Sequence, residues 1–317
     1  ASLFAALIAL PAPSAFAAEG YPQRPIRLLI PFHPGGGTDV LARALSEKLE
    51  EALGATIVVD NRGGEGGTHG VSLVARAAPD GYTFLFTSAS YTFAPSLFKD
   101  LPYDPIKDFK PITMFASAPN MLVVHPSMPV KSVKELLALA RKRPGEIRYS
   151  SAGRGSNLHL TTELFTYMAK IKLLEVPYRG GGPAGLALVT GEVQVMLPGF
   201  QRALPFVKRG LMRALAVSTK QRSPVLPDLP TIDESGVPGY DKAGWFGLFA
   251  PAAVPESIVT RLHQAAVKVL KNPDIVKRLA AEGAVAVGNS PEEFGAFIGA
   301  DVRRMGKVIK DGNIRAE

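Results

Sequence analysis

The segment from residue 26 to residue 43 joins an apolar run to a helical pattern through three consecutive glycines. Ile26, Leu28 and Ile30 are typical of a buried strand, and Leu41 and Leu45 follow at helical spacing. Glycine lets the backbone turn sharply between the two elements. A helix that starts there presents free N–H groups at its positive end, which suits a carboxylate or another small anion. The same glycines also serve as a plain tight connection, so the pattern alone leaves both interpretations open.

Apolar runs alternate with helical patterns along most of the 317 residues. Predicted strands cover residues 26–30, 56–59, 83–87, 121–125, 147–150, 173–176 and 244–250. Predicted helices cover residues 40–53, 68–77, 132–142, 157–170, 184–189, 258–270, 273–282 and 292–310. This alternation predicts an α/β fold and favours parallel strands joined by crossover helices.

The chain is long enough for two lobes of ~100 to 200 residues each. Residues 1–17 contain a short apolar run and end in Ala15, Phe16 and Ala17, the small-x-small pattern of a signal-peptide cleavage site. We therefore expect an exported protein that starts near Ala18. Residues 18–118 and 243–317 are predicted to form lobe one, residues 119–242 lobe two, and the chain to cross between them twice.

Composition narrows the function classes. Lys and Arg outnumber Asp and Glu by 36 − 28 = +8, which attracts anions, but the basic residues are scattered and nucleic acid is not an expected partner. The absence of cysteine excludes disulfides and thiolate metal sites. The five histidines lack paired metal-ligand spacing, so no metal is expected, and the glycine loop lacks the phosphate-loop and dinucleotide patterns, so no cofactor is expected.

A second loop repeats the strand-to-helix arrangement after residues 147–150. Its candidate ligand contacts are Ser151, Gly153, Arg154, Gly155 and Ser156. Hydroxyls, free N–H groups and a guanidinium here are predicted to bind the ligand from the lobe opposite the first loop. The serines also serve as ordinary caps and turns, and that alternative stays open.

The remaining candidates follow other strand ends, where ligands bind in α/β sheets. From the first loop we predict contacts by Phe32, His33, Gly35, Gly36, Gly37, Thr38 and Asp39. From other loops we predict contacts by Ser88, Tyr91 and Arg179.

Several motifs in order resemble one known family over nearly the whole mature chain. They are Phe32-His33-Pro34-Gly35-Gly36-Gly37-Thr38-Asp39, Val59-Asp60-Asn61-Arg62, Pro79-Asp80-Gly81-Tyr82, Leu101-Pro102-Tyr103-Asp104-Pro105 and Pro227-Asp228. The chain resembles the Bug-type substrate-binding receptors of tripartite tricarboxylate transporters. The resemblance implies a periplasmic, two-lobed type II binding fold with a mixed or parallel sheet in each lobe. It also implies a monomer that closes on an organic acid and delivers it to the permease subunits.

One position departs from the family pattern. Ala187 stands where an aspartate is common in the resembled receptors, which favours a ligand without a cationic group. A non-enzymatic receptor is the leading hypothesis for function. The alternative is a secreted α/β hydrolase acting on a small carboxylated substrate, although the chain lacks the Gly-x-Ser-x-Gly elbow.

Overall fold

The structure is a computed structural model that describes residues 20–35, 37–281, 283–312 and 314. The predicted signal remnant at residues 1–17 and the predicted ligand contact Gly36 lie outside the described residues. Within the described ranges, no helix is both long and apolar enough to cross a membrane.

The described strands assemble into two sheets. The strands are β1 (Ile26–Ile30), β2 (Ile57–Asn61), β3 (Thr83–Ser88), β4 (Phe109–Pro119), β5 (Met121–Val124), β6 (Arg148–Ser151), β7 (Leu174–Pro177), β8 (Val195–Met196), β9 (Arg213–Val217), β10 (Ala243–Pro251) and β11 (Val285–Ala286). One sheet has the order β11-β4-β10-β3-β1-β2, and the other has the order β7-β6-β8-β5-β9.

Helices separate most of the strands. They are α1 (Gly37–Leu53), α2 (Thr68–Ala75), α3 (Ala94–Leu97), α4 (Val133–Lys142), α5 (Asn157–Ala169), α6 (Gly181–Val189), α7 (Phe200–Lys208), α8 (Glu256–Leu270), α9 (Pro273–Ala281) and α10 (Pro291–Asp311). Two short 3-10 helices cover Glu65–Gly67 and Ala89–Thr92. This arrangement is the predicted α/β class.

The first strand and helix form as the sequence indicates. β1 runs parallel to β2 and β3, and Leu29 and Ile30 are fully buried. α1 begins at Gly37, ahead of the predicted residue 40, and buries leucines at every fourth position: Leu41, Leu45, Leu49 and Leu53. Because β1 leads almost directly into α1, the positive end of the helix lies at the carboxyl end of the sheet.

Both sheets are mixed, which corrects the expectation of parallel strands that the alternation favours. β10 is antiparallel to β3 and β4, and β5 is antiparallel to β8 and β9. β4, which the sequence analysis missed, leads out toward the second sheet, whereas β10 leads back. The outgoing and returning strands pair side by side, so they run in opposite directions.

Two chain segments connect the sheets, and one serine links these two segments to each other. The first segment passes from β4 through Asn120 to β5, and the second covers residues 218–242 between β9 and β10. The Asn120 N–H donates to Ser218 Oγ at 2.8 Å, and Ser218 Oγ donates to the Lys242 carbonyl. The two crossings are therefore held together at one buried hydroxyl.

The second crossing is also tied to α10 by a buried ion pair. Lys242 Nζ lies 3.0 Å from Asp301 Oδ2, and each side chain is 1% exposed. Thr92 Oγ1 donates to Asp301 at 2.7 Å, and Arg304 Nη2 donates to it at 2.8 Å. Burial alone would raise the pKa of Asp301, but Lys242, Thr92 and Arg304 outweigh it and hold this pKa below its ordinary value.

Replacing Asp301 by Asn leaves the Lys242 ammonium buried without a counter-charge. We expect D301N to lower the free energy of unfolding by about 3 to 5 kcal/mol, as measured by urea denaturation at pH 7. R304Q is the control, because the Arg304 side chain is 43% exposed and its ion pair contributes less than about 1 kcal/mol. Equal losses in the two variants would contradict a special role for the buried pair.

The same variant has a defined pH signature. A carboxyl whose pKa is lowered by folding stabilises the protein above its unfolded pKa, and that stability is lost as the pH falls toward the folded pKa. We therefore expect the wild-type free energy of unfolding to fall more steeply than that of D301N below about pH 4. Parallel slopes would show that Asp301 does not titrate as proposed.

Candidate functional site

A cavity of about 250 Å³ lies between the two sheets, next to the first crossing. The first sheet contributes the start of α1, the end of β3 and the start of β10. The second sheet contributes the starts of α5, α6 and α7, and the segment after β8. Asn120 lines the cavity at the crossing itself. Sites for drug-sized ligands occupy about 300 to 1,000 Å³, so this cavity suits a smaller molecule.

Four helices begin at this cavity. The helix-start residues that line it are Gly37 and Thr38 of α1, Ser156 and Asn157 of α5, Gly181 of α6, and Gln201 and Arg202 of α7. The first N–H groups of a helix have no partner within the helix, and the helix dipole makes that end positive. Four such ends around one small volume give the cavity a positive potential.

One described residue that lines the cavity has a charged side chain, and its charge is positive. Among the described residues that line it, Arg202 is the sole ionisable group, and none is Asp or Glu. The remaining lining residues are neutral polar, small or apolar. A cavity with this lining favours an anion and offers no counter-charge to a cation.

Three lining residues also carry buried polar atoms that have no hydrogen-bond partner among the described residues. They are the side-chain nitrogen of Asn120, Oε1 of Gln201 and the indole nitrogen of Trp245. Asn120 is 2% exposed and Trp245 is 1% exposed. Buried polar atoms are normally paired, so such a group beside a cavity is a place where a ligand or water supplies the missing partner.

Four predicted contacts line this cavity, namely Gly37, Thr38, Ser88 and Ser156. The lining residues that the sequence analysis missed include the polar or charged side chains of Asn120, Gln201, Arg202 and Trp245. Two signals were visible in the sequence. Gly199 is followed by Phe200, Ala203 and Leu204 at helical spacing, and Trp245 stands in the predicted return strand.

The polar groups of the first loop form hydrogen bonds with one another. The Gly35 N–H donates to Asp39 Oδ2 at 2.9 Å, and Arg43 Nε donates to Asp39 Oδ1 at 3.0 Å. Burial would raise the pKa of Asp39, but these two donors hold it below its ordinary value. Gly35 and Asp39 therefore stabilise the loop and do not line the cavity, and His33 is exposed beside Gly63.

Phe32 and Tyr91 lie together in a separate place. They line a cavity of about 10 Å³ between the first loop and the 3-10 helix at Ala89–Thr92. The Tyr91 hydroxyl donates to the Pro105 carbonyl at 2.6 Å, and its ring stacks on Phe249. These two predicted contacts do not line the main cavity.

The second loop is organised by Glu175, which the sequence analysis missed. Ser151 Oγ donates to Glu175 Oε1 at 2.7 Å, and Arg154 Nε lies 3.4 Å from Glu175 Oε2. Glu175 stands opposite Tyr149 in the parallel pair of β6 and β7, so it faces the same side as Ser151. Ser151 and Arg154 thus contact this carboxylate, and neither lines the cavity.

Three further predicted residues shape loops rather than line the cavity. Gly153 and Gly155 have φ of 103° and 76°, a left-handed backbone that favours glycine. Gly155 also approaches Leu97 of α3, so the loop reaches the first sheet's helices. Arg179 is exposed in the loop between β7 and α6.

Histidine and serine do not form a catalytic pair at this cavity. His159 is buried, its Nδ1 accepts the Gly155 N–H at 3.1 Å, and its Nε2 lies 3.6 Å from Glu175. Burial lowers the pKa of His159 despite the opposing charge of Glu175. His125 does bond to Ser127 Oγ at 2.7 Å, but in an exposed turn that does not line the cavity. The described residues contain no cluster of His, Asp and Glu that could hold a metal ion.

Comparison with known families agrees with this geometry. The model of the tripartite tricarboxylate transporter family receptor, TctC, matches residues 41–314. The chain belongs to this family. Protein BugT of Bordetella pertussis (strain Tohama I) is 35% identical to it, over 98% of this chain and 95% of the relative.

Two solved structures of relatives superpose over most of the receptor. The Rhodopseudomonas palustris protein Rpa4515, solved with adipate, is 39% identical, with a TM-score of 0.84 over 93% of this chain and 99% of that one. MatC from the same organism, solved with bound malate, is 32% identical, with a TM-score of 0.81 over 91% of this chain and all of that one.

These comparisons confirm the Bug-type resemblance and the two-lobed α/β binding fold. The protein is a solute-binding receptor of the tripartite tricarboxylate transporter type. They do not favour the hydrolase alternative. The individual contact residues stay predictions, and Ser156 is the one whose role is most directly testable.

Ser156 caps α5 and lines the cavity, so its two roles must be separated. Ser156 Oγ accepts the His159 N–H at 3.2 Å, and Ser132 Oγ caps α4 in the same way at 3.2 Å but away from the cavity. We expect S156A and S132A each to lose about 1 kcal/mol of unfolding free energy. Carboxylate binding, measured by calorimetry, should weaken by about 1 to 3 kcal/mol in S156A alone. An unchanged affinity in S156A would show that Ser156 only caps α5 and does not contact the ligand.

Proposed function

We propose that this receptor captures a small organic carboxylate between its two lobes in the periplasm and delivers it to the permease subunits of a tripartite transporter. The observation that carries the proposal is the convergence of four helix N-termini on a cavity with one arginine and no acidic lining residue among those described. The adipate and malate in the two relatives support the same ligand class.

The proposed lobes are residues 18–118 with 243–317, and residues 119–242. Apart from Pro119 at the end of β4, the strands of the six-stranded sheet lie in the first set, and those of the five-stranded sheet lie in the second. Export through a leader that ends near Ala17 and action as a monomer complete the proposal.

Helix ends suit this task because they replace the water around a carboxylate without adding a mobile counter-ion. Removing an ionised carboxylate from water costs several kcal/mol unless hydrogen bonds replace the lost ones. Backbone N–H groups at helix starts already point outward and lose little conformational freedom when they bind. Neither lobe alone surrounds the ligand, so the full set of donors is available only when both lobes contact it.

We also propose that the bound acid is not chemically changed. The histidine contacts described above leave the cavity without a serine activated by an imidazole, and Arg202 is a permanent cation that does not serve as a general base. The binding-protein family supports the same conclusion.

Binding is tested by thermal and chemical denaturation of purified protein with a panel of mono- and dicarboxylates. A ligand at ~100 times its Kd adds about 2.7 kcal/mol to the free energy of unfolding. We expect stabilisation by at least one organic acid, saturable one-site binding in calorimetry, and an unchanged NMR spectrum of the recovered acid. A panel without any hit would contradict the proposed ligand class, and an altered acid would support the hydrolase.

Closure is tested by small-angle X-ray scattering with and without the best acid of that panel. Gln201 Nε2 lies 3.6 Å from the position a Cβ would take on Gly37, so α7 of one lobe reaches α1 of the other in this structure. We expect a smaller radius of gyration at saturating ligand, because each lobe provides only part of the ligand's partners. Superimposable curves would place the ligand within a single lobe.

A further inference from the structure

We infer that Arg202 pairs with a second carboxylate of the ligand, so that the receptor selects dicarboxylates over monocarboxylates of equal length. This inference rests on the proposed function and identifies the residue that selects ligands with a second negative charge. It starts from Arg202 being the sole ionisable side chain among the described cavity residues.

The cavity has two polar regions, the start of α1 and the start of α6. Adjacent residues of α7 reach one region each. Gln201 Nε2 extends to the start of α1, 3.6 Å from the Cβ position of Gly37. The Arg202 guanidinium carbon instead lies 3.3 Å from the Cβ position of Gly181, at the start of α6. Consecutive side chains of an α-helix diverge by about 100°, which sends these two toward different walls.

Apolar side chains also line the cavity. They include Leu158, Met196, Leu197 and Phe246. A molecule with a charged group at each end and a hydrocarbon middle matches such a lining. A monocarboxylate would leave one of these two helix starts without an anion. An ammonium group would find no acidic partner among the described lining residues.

Arg202 is available for this pairing, unlike the arginine of the second loop. Arg154 contacts Glu175 at 3.4 Å, whereas no acidic partner of Arg202 is found in the described part of the chain. Arg202 also lies in the first turn of α7 and against the first residue of α6. A cation is unfavourable at these positive helix ends. The described residues therefore give the Arg202 guanidinium no counter-charge, and a bound anion would supply one.

A buried group in the same cavity as Arg202 indicates that the cavity is built for a ligand. Asn120 is 2% exposed and lines the cavity, and its side-chain nitrogen has no partner among the described residues. An amide donor and a guanidinium together complement oxygen acceptors. The ligand class thus follows from a donor-rich cavity whose one charged side chain is otherwise unused.

The test compares each diacid of four to eight carbons with its own monomethyl ester, using calorimetry at fixed ionic strength. Length and shape stay nearly constant while one negative charge is removed. We expect the wild-type protein to bind its preferred diacid at least tenfold more tightly than the ester. R202Q should lose at least tenfold in diacid affinity and almost none in ester affinity, and R202K should recover part of the preference.

R179Q is the matched control, because Arg179 is exposed, as Arg202 is, but lies in the loop before α6 and does not line the cavity. It should keep the wild-type preference for the diacid. Urea denaturation of the ligand-free variants supplies a second readout. R202Q should be as stable as the wild type or more stable, because the substitution removes a positive charge from the N-termini of α6 and α7.

The outcomes separate the inference from the function on which it rests. If R202Q retains the full preference for the diacid, or the wild type binds esters as tightly as diacids, the inference is wrong and the receptor function stands. A loss of ligand-free stability in R202Q with equal losses for both ligands would make Arg202 a structural residue. Binding of no member of either series would overturn the proposed function, and the inference with it.

Discussion

The ion pair between Lys242 and Asp301 controls the geometry on which the cavity depends. It is fully buried and joins the second crossing to α10, and the Lys242 ammonium also lies 4.8 Å from the Phe93 ring centroid. Ser218 then connects the same crossing to Asn120 in the first. A buried ion pair is an expensive way to gain stability, because desolvation offsets most of the attraction. Its main effect here is on geometry. Together with Ser218 it fixes the positions of both crossings, and therefore the position of one sheet relative to the other.

Helix dipoles explain why a receptor for anions needs so few charged side chains. α1, α5, α6 and α7 direct their N-terminal ends toward one cavity because each follows a strand that ends near it. The carboxylates near the two loops have local partners: Asp39 accepts from Gly35 and pairs with Arg43, and Glu175 accepts from Ser151 and pairs with Arg154. The potential at the cavity therefore comes mainly from backbone N–H groups and from Arg202. Backbone groups cannot move away, so the cavity keeps its preference for anions without a ligand.

Local features of the fold were predictable, and long-range ones were not. β1, α1 and the glycine loop between them follow from apolar periodicity in one continuous segment, as do α8 to α10. β8 has only two residues, and Pro205 interrupts the helical spacing of Phe200, Ala203 and Leu204, so the start of α7 with Gln201 and Arg202 was not predicted. Ser151 and Arg154 look free in the sequence because Glu175 comes from the neighbouring strand. Which polar residue faces the ligand depends on strand register, and one sequence does not reveal that register.

Asn120 stands apart from the other cavity residues because it belongs to the crossing and to neither sheet. Its backbone N–H holds Ser218, while its side chain lines the cavity. Under the proposed closure, a ligand bound to Asn120 keeps that contact while the lobes move, since the crossing is the axis of the movement. Contacts to Gly37 and Arg202 come from opposite lobes and form together only when the cleft is closed. We therefore expect the ligand to bind first at the crossing and one lobe, and the second lobe to add its donors afterwards, so that helix N-termini replace water as the cleft closes.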